Sequence, residues 1–282
     1  MSRRTENPGI FDSLEFFCYF LAMKRYFLLF MLIFLFLYRN SYGFEITGLR
    51  PVDPYGVFST FSADSLPKNK AAFSAGAEIT IEPNFYKFLF KTAYGITDKI
   101  ELNMTVPYAF DGDSIGGFED VALGFKHRFF DEGKYGPSIA YILNASIPSG
   151  RDEYSTDGRY GIGLIVSKRV GPFNGHVNLF YEKPGNRKLD DEVSFLAGLD
   201  FAAAHNFKIL AELYCNKNRG SEKVDLFEGR IGYRVRTAEF IYTTFGVGVD
   251  LKNGNPESRI MFSLTFLSPS KKKEIKKIYE EE

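Results

Sequence analysis

The chain has 282 residues, room for one large all-β domain or two ordinary ones, and its 35 basic and 35 acidic side chains cancel. That balance excludes the charge footprint of a nucleic-acid binder. A mean hydropathy slightly below zero excludes a bundle of membrane-spanning helices but not a β-barrel, where every second residue faces a polar interior. Thirty Phe and 17 Tyr with no Trp show heavy use of β-favouring aromatics. Of the two cysteines, Cys18 precedes a targeting segment and Cys215 falls on an apolar strand face, so no disulfide framework is expected.

Residues 23–43 read MKRYFLLFMLIFLFLYRNSYG. Lys24 and Arg25 give a basic start, Tyr26 to Tyr38 an apolar run, and Ser41-Tyr42-Gly43 a small-residue cleavage site. The run has about 13 residues, short of the ~20 that span a bilayer as a helix. We expect an N-terminal extension plus signal peptide over 1–43, cleaved after Gly43, with Met23 as an alternative start. Residues 44–70, rich in Pro, Gly, Ser and Asp, read as irregular; Val57 to Phe61 is either a short strand or a segment entering the interior of the fold.

From residue 71 a period of two recurs almost without gap, which predicts strands because successive side chains point to opposite faces. Phe73, Ala75, Ala77, Ile79 and Ile81 oppose Ser74, Gly76, Glu78 and Thr80. Tyr86, Phe88, Phe90 and Tyr94 oppose Lys87 and Lys91. Ile100, Leu102, Met104, Val106 and Tyr108 oppose Lys99, Glu101, Asn103 and Thr105; Val121, Leu123, Phe125 and Phe129 oppose Asp120, Lys126 and Arg128. The rhythm continues to Phe266, giving about twelve strands of ~10 residues, the length a tilted strand needs to cross a bilayer.

The connections sort by parity. Thr97-Asp98, Gly171-Pro172, His205-Asn206 and Arg236-Thr237 are short, and 131–137 is the longest of that set. The alternate set is longer and polar: FDGDSIGG, PSGRDEYSTDG, EKPGNRKLDD, NKNRGSEK and LKNGNPES; only Glu82-Pro83-Asn84 breaks the rule. A soluble sandwich would also hide one strand face, but its loops would not sort this way. The predicted fold is all-β: a transmembrane antiparallel up-and-down β-barrel of about 12 strands over 71–267, preceded by the signal peptide and followed by a charged tail, 268–282. His127 and Glu239 fall on the lipid face only near its rims. The expected location is the bacterial outer membrane, with outer-membrane lipid and the barrel-assembly machinery as partners and no nucleic acid.

The strings YGITDKIELNMTVPY, GGFEDVALGFKHRFF, ASIPSGRDEY and GLIVSKRVGPFNGHVNLFYE resemble the bacterial family of outer-membrane transporters named for the meta-pathway of phenol degradation. The positions that carry the likeness are Tyr94-Gly95-Ile96-Thr97-Asp98, Pro107-Tyr108, Gly117 to Lys126 and Pro148-Ser149-Gly150, within roughly residues 70–265. The resemblance implies a barrel that moves small, often hydrophobic or aromatic solutes by passive or gated diffusion, with no catalytic residues to carry over.

Inward charges define the candidate site. Lys87, Lys91, Lys99, Glu101, Asp120, Lys126, Arg128, Arg169, Glu182 and Glu212 are the candidate lumen and solute contacts. Twelve strands leave a narrow lumen, between a filled eight-stranded interior and an open sixteen-stranded one. The charges therefore make either a selective polar pathway or a salt-bridged interior that blocks flow, a structural barrel without transport. A lipid hydrolase is the third reading, since Ser167 and His176 lie on hairpin-paired strands, but no flanking pattern supports it. No metal or cofactor is expected: Asp111-Gly112-Asp113 and Asp190-Asp191-Glu192 lack the rest of a Ca²⁺ loop signature. The sequons at Asn103 and Asn144 sit inside strands.

Overall fold

The computed structural model describes residues 47–81, 85–111, 116–218, 224–252 and 258–269. Its strands are β1 (Ala71–Ile81), β2 (Phe85–Gly95), β3 (Ile100–Asp111), β4 (Gly117–Phe118), β5 (Val121–Phe130), β6 (Ser138–Ile147) and β7 (Arg159–Val170). They continue with β8 (Phe173–Pro184), β9 (Glu192–Ala204), β10 (Phe207–Asn218), β11 (Leu226–Ala238), β12 (Ile241–Asp250) and β13 (Ser258–Leu267). Apart from the two-residue β4, these are twelve long strands, each antiparallel to its neighbours, and β1 pairs with β13 to close the ring. Closure leaves no unpaired edge, which is what permits a sheet to sit in hydrocarbon. Among the described residues no helix is long and apolar enough to cross a membrane.

The period of two sets the two faces. Phe73, Phe88, Leu102, Leu123, Leu143, Ile162, Leu164, Leu179, Phe195, Leu213, Ile231 and Phe262 all point outward and are exposed. Stacked ring pairs flank this apolar band, Tyr86 with Phe110 at 4.8 Å near one rim and Phe173 with Phe201 at 4.7 Å near the other. An outer face of this kind is built for lipid. His127 lies near the same end as Phe173, its Nδ1 3.3 Å from the Tyr141 hydroxyl.

One rim carries the short turns and the other the long connections, here called the turn rim and the loop rim. The turn expected at Arg236-Thr237 comes too early. β11 runs on to Ala238, its register with β12 shifts between Arg236 and Ala238, and the chain reverses at Glu239-Phe240. Arg236 holds that reversal by donating from Nε and Nη2 to the Glu239 carbonyl at 3.1 and 2.6 Å.

A second irregularity interrupts the strand read from Val121 back into its loop. Pro107 on β3 has no N–H to continue the ladder. Its carbonyl accepts the Glu119 N–H at 3.0 Å, and the chain bulges at Glu119-Asp120 between β4 and β5. The bulge turns both carboxylates inward, where they are 0% and 2% exposed.

The bore is not empty. Thr47 lies at the loop rim, and the segment descends past Leu49, Arg50 and Val52 to Asp53, in the half of the bore nearer the turn rim. It then doubles back through a cis Asp53–Pro54 bond and a bridge between Gly56 and Phe61. From Phe61 it runs down to Leu66 at the turn rim and enters β1. Val52, Val57, Phe61, Ala63 and Leu66 are at most 2% exposed, as deep as any core residue.

Candidate functional site

The candidate site is the contact between residues 47–66 and the barrel wall. A buried irregular segment must find partners for its backbone, because each unmet N–H or C=O costs about 1–3 kcal/mol. The inward polar residues of the strands supply them. At the loop rim Glu119 accepts the Thr47 N–H at 2.6 Å, while Lys87 bridges Glu119 at 3.1 Å and donates to Thr47 Oγ1 at 2.8 Å. Thr105 Oγ1 accepts the Arg50 N–H at 3.1 Å.

Midway down the bore, one carboxylate oxygen of Glu212 accepts the Ser59 N–H, the Thr60 N–H and the Thr60 hydroxyl, each at 2.8 Å. Its other oxygen pairs with Arg230 at 2.9 Å, and Arg230 also pairs with Glu228 at 2.8 Å. Asn178 grips Phe61 as a neighbouring strand would: Oδ1 accepts the N–H at 2.6 Å and Nδ2 donates to the carbonyl at 2.9 Å. Asp53 is the deepest acid of the segment. It pairs with Arg234 and accepts the hydroxyls of Thr244 and Ser263, both at 2.9 Å. Lys91 adds a second positive charge beside it.

Nearer the turn rim Glu101 accepts the Leu66 N–H at 2.6 Å and pairs with Lys126 at 3.0 Å. Lys126 in turn donates to the Asp64 carbonyl at 2.7 Å.

Apolar knobs complete the fit, seated on wall glycines. The Phe58 ring lies 2.4 Å from where a Cβ on Gly246 would stand and 2.9 Å from one on Gly232, its cross-strand partner. Leu49 lies on Gly124 and Val57 on Gly198 in the same way. Inside a strand such glycines mark close approach by another backbone or side chain. Beside Arg50, Arg159, Glu182 and Glu192 the loop-side end keeps a cavity of only about 40 Å³. That is room for a few waters at about 10–15 Å³ each.

The ten candidate residues divide by place. Lys87, Lys91, Glu101, Lys126 and Glu212 meet the segment inside the bore. Glu182 is at the loop rim, 2.7 Å from Arg159, which also pairs with Glu192 at 3.0 Å. Asp120 faces away from the segment and holds the connection 148–158 instead, accepting the Ser155 hydroxyl at 2.7 Å and the Thr156 N–H at 2.8 Å. Burial would raise its carboxyl, but the hydrogen bonds from Ser155, Thr156 and Gly150 outweigh that and hold it below the usual range.

Three candidates are not in the bore. Lys99 and Arg169 are exposed at the turn rim, where Lys99 pairs with Asp131 and the Arg169 N–H reaches Glu132 at 3.1 Å. Arg128 also lies at that rim, 3.1 Å from both Asp64 and Asp131. Lys99 precedes β3, while Arg128 and Arg169 stand near the ends of β5 and β7, where the inward face opens onto solvent. Of the two acidic loop clusters, Gly112 and Asp113 lie outside the described residues. In the other, Asp191 accepts the Tyr181 hydroxyl at 2.6 Å and Glu192 is tied to Arg159.

Ser167, His176 and Asp200 do line up, with Ser167 Oγ 2.8 Å from Nδ1 and Asp200 Oδ2 3.5 Å from Nε2. The serine, however, accepts the Ala63 N–H at 2.8 Å, and Asp200 is shared with Lys208 at 2.8 Å. All three side chains are buried under the segment. Ser167 clamps the segment, and His176 and Asp200 stand behind it as buried wall residues. Asp53, Glu119 and Asn178 escaped the sequence reading: Asp53 sat in the stretch read as irregular, Glu119 shared the outward parity of Val121 until the bulge turned it in, and Asn178 carries no charge.

No protein-family model and no curated protein matches the chain. Solved structures do. An outer-membrane channel from Pseudomonas putida F1 matches with a TM-score of 0.57 at 14% identity, over 77% of this chain and 100% of that one. The NanC porin matches with a TM-score of 0.56 at 10% identity, over 69% and 98%. The KdgM porin matches with a TM-score of 0.54 at 10% identity, over 71% and 99%. At these identities the likeness establishes the fold, that of the outer-membrane barrel porins.

Proposed function

We propose that this chain is a bacterial outer-membrane channel for small molecules, held shut by residues 47–66 and opened when they withdraw. The carrying observation is the character of the seal. Its anchors are carboxylates, amides and hydroxyls of the wall, all groups that water can satisfy once the segment leaves. Apolar contacts hold the segment as well, Leu49, Val57 and Phe58 on wall glycines and Phe61 in the core, so withdrawal also exposes apolar surface, which water opposes and which keeps the shut state dominant. The sequence resemblance to the phenol meta-pathway transporters supports small hydrophobic or aromatic solutes as the class carried.

The saturation of the inward charges by one another favours a second reading, a structural barrel that never opens. Single-channel recording of refolded residues 44–282 in a planar lipid bilayer separates the two. Discrete, reproducible openings support the channel. A folded barrel that stays silent, both as wild type and with Asp53→Ala, overturns it in favour of the sealed barrel.

A further inference from the structure

Among the polar side chains of the wall, Asn103 stands apart. It faces the bore from β3, is 4% exposed, and among the described residues neither Nδ2 nor Oδ1 has a hydrogen-bond partner. Its neighbours on the wall explain the lack: Ala93 on β2 and Gly124 on β5 stand opposite it, and neither has a side chain that can donate or accept. The segment brings none either. Leu49 covers Gly124, while Val52 and Leu66 pack on Ala93 and Ala72. Asn103 is thus a polar group stranded between two apolar contacts of the seal.

Such a residue weakens the shut state, since a buried amide without partners is costly and an apolar side chain of the same size would not be. Neither packing nor anchoring gives it a role there. The charged candidates Lys87, Glu101, Lys126 and Glu212, by contrast, are engaged with one another or with the segment. We propose that Asn103 lines the open pathway and meets the solute. It would select by hydrogen bonding, for small uncharged molecules with a donor or acceptor, on a strip that Ala72, Ala93 and Gly124 keep free of charge. This assignment rests on the channel reading.

The test is ion selectivity measured on open events of the full chain, which does not depend on how often the channel opens. Asn103→Asp places a negative charge on the strip, and the cation-to-anion permeability ratio is expected to rise at least about threefold, a small part of what a unit charge a few ångströms from the path exerts. Should that variant fail to fold, Asn103→Cys in a chain with Cys18→Ser and Cys215→Ser serves instead. A charged methanethiosulfonate reagent is then expected to alter the open current, and to react faster in a chain that also carries Asp53→Ala. Open events with unchanged selectivity, or an installed thiol that never reacts, overturn the role of Asn103 and leave the channel standing. No open events from any variant overturn the channel reading and this assignment with it.

Discussion

Replacing Asp53 with alanine places its whole cost on the shut state. With the segment in place, the carboxylate neutralises Arg234 and accepts Thr244 Oγ1 and Ser263 Oγ at 2.9 Å and Thr265 Oγ1 at 3.4 Å, in a buried part of the bore. Asp53→Ala leaves Arg234, 1% exposed, with the Gly56 carbonyl at 3.0 Å and the Thr244 hydroxyl but no opposite charge. Breaking one side of a buried pair costs about 3–5 kcal/mol. With the segment withdrawn, water reaches Arg234 whichever residue stands at 53, so almost none of that cost appears in the open state. At about 1.4 kcal/mol per factor of ten, the shut-to-open ratio falls roughly a hundred- to several-thousand-fold. Open probability in planar bilayers reads this directly, and heat-modifiable gel mobility shows that the barrel itself has folded. An open probability within about tenfold of wild type, from a folded barrel, refutes the reasoning.

Gly246→Val drives a side chain into the Phe58 ring, which lies 2.4 Å from the Cβ position; it should raise open probability, and Phe58→Ala in the same chain should return part of the shut population. Leu164→Arg puts a charge at the middle of β7 on the lipid face and should cost about 2–4 kcal/mol in reversible unfolding from vesicles, with the apolar change Leu164→Ile at the same position as the control that costs much less. The lowered pKa of Asp120 means that its hold on residues 148–158 is complete above the ordinary value of 3.8 and fades only as pH falls below it. Protease cleavage near Arg151 should therefore stay constant from neutral pH to about 5, rise in stronger acid, and already be high at neutral pH in Asp120→Asn.

The barrel was legible because its signals are side-chain signals: alternation over each strand, and connections that alternate in length. A closed sheet with Leu102, Leu123 and Leu143 outside and Glu101, Lys126 and Asn144 inside follows from a period of two once closure is assumed. The path of residues 47–66 was not legible, because what the wall holds is mostly backbone. Glu212 reads the N–H groups of Ser59 and Thr60, and Asn178 reads both polar atoms of the Phe61 backbone, so any residue but proline at those positions would satisfy these backbone bonds. The glycine seats at 124, 198, 232 and 246 were equally silent, since a strand glycine looks like a weakness until the knob that fills it is known. At Lys99 and Arg169 the failure ran the other way: Lys99 precedes β3 and Arg169 is the next-to-last residue of β7, and at that rim a side chain of inward parity reaches solvent.

The segment enters the bore at Thr47 on one rim and joins β1 at the other, and β1 is also half of the seam that closes the ring against β13. The molecule is therefore a hoop with its own rope drawn through it. Only two orders of assembly reach that state: the seam closes around a rope already lying inside, or the loose end climbs the finished hoop from the turn side. A bulky folded cargo spliced ahead of Thr47 tells them apart, because it rides along in the first case and jams at the turn-side mouth in the second.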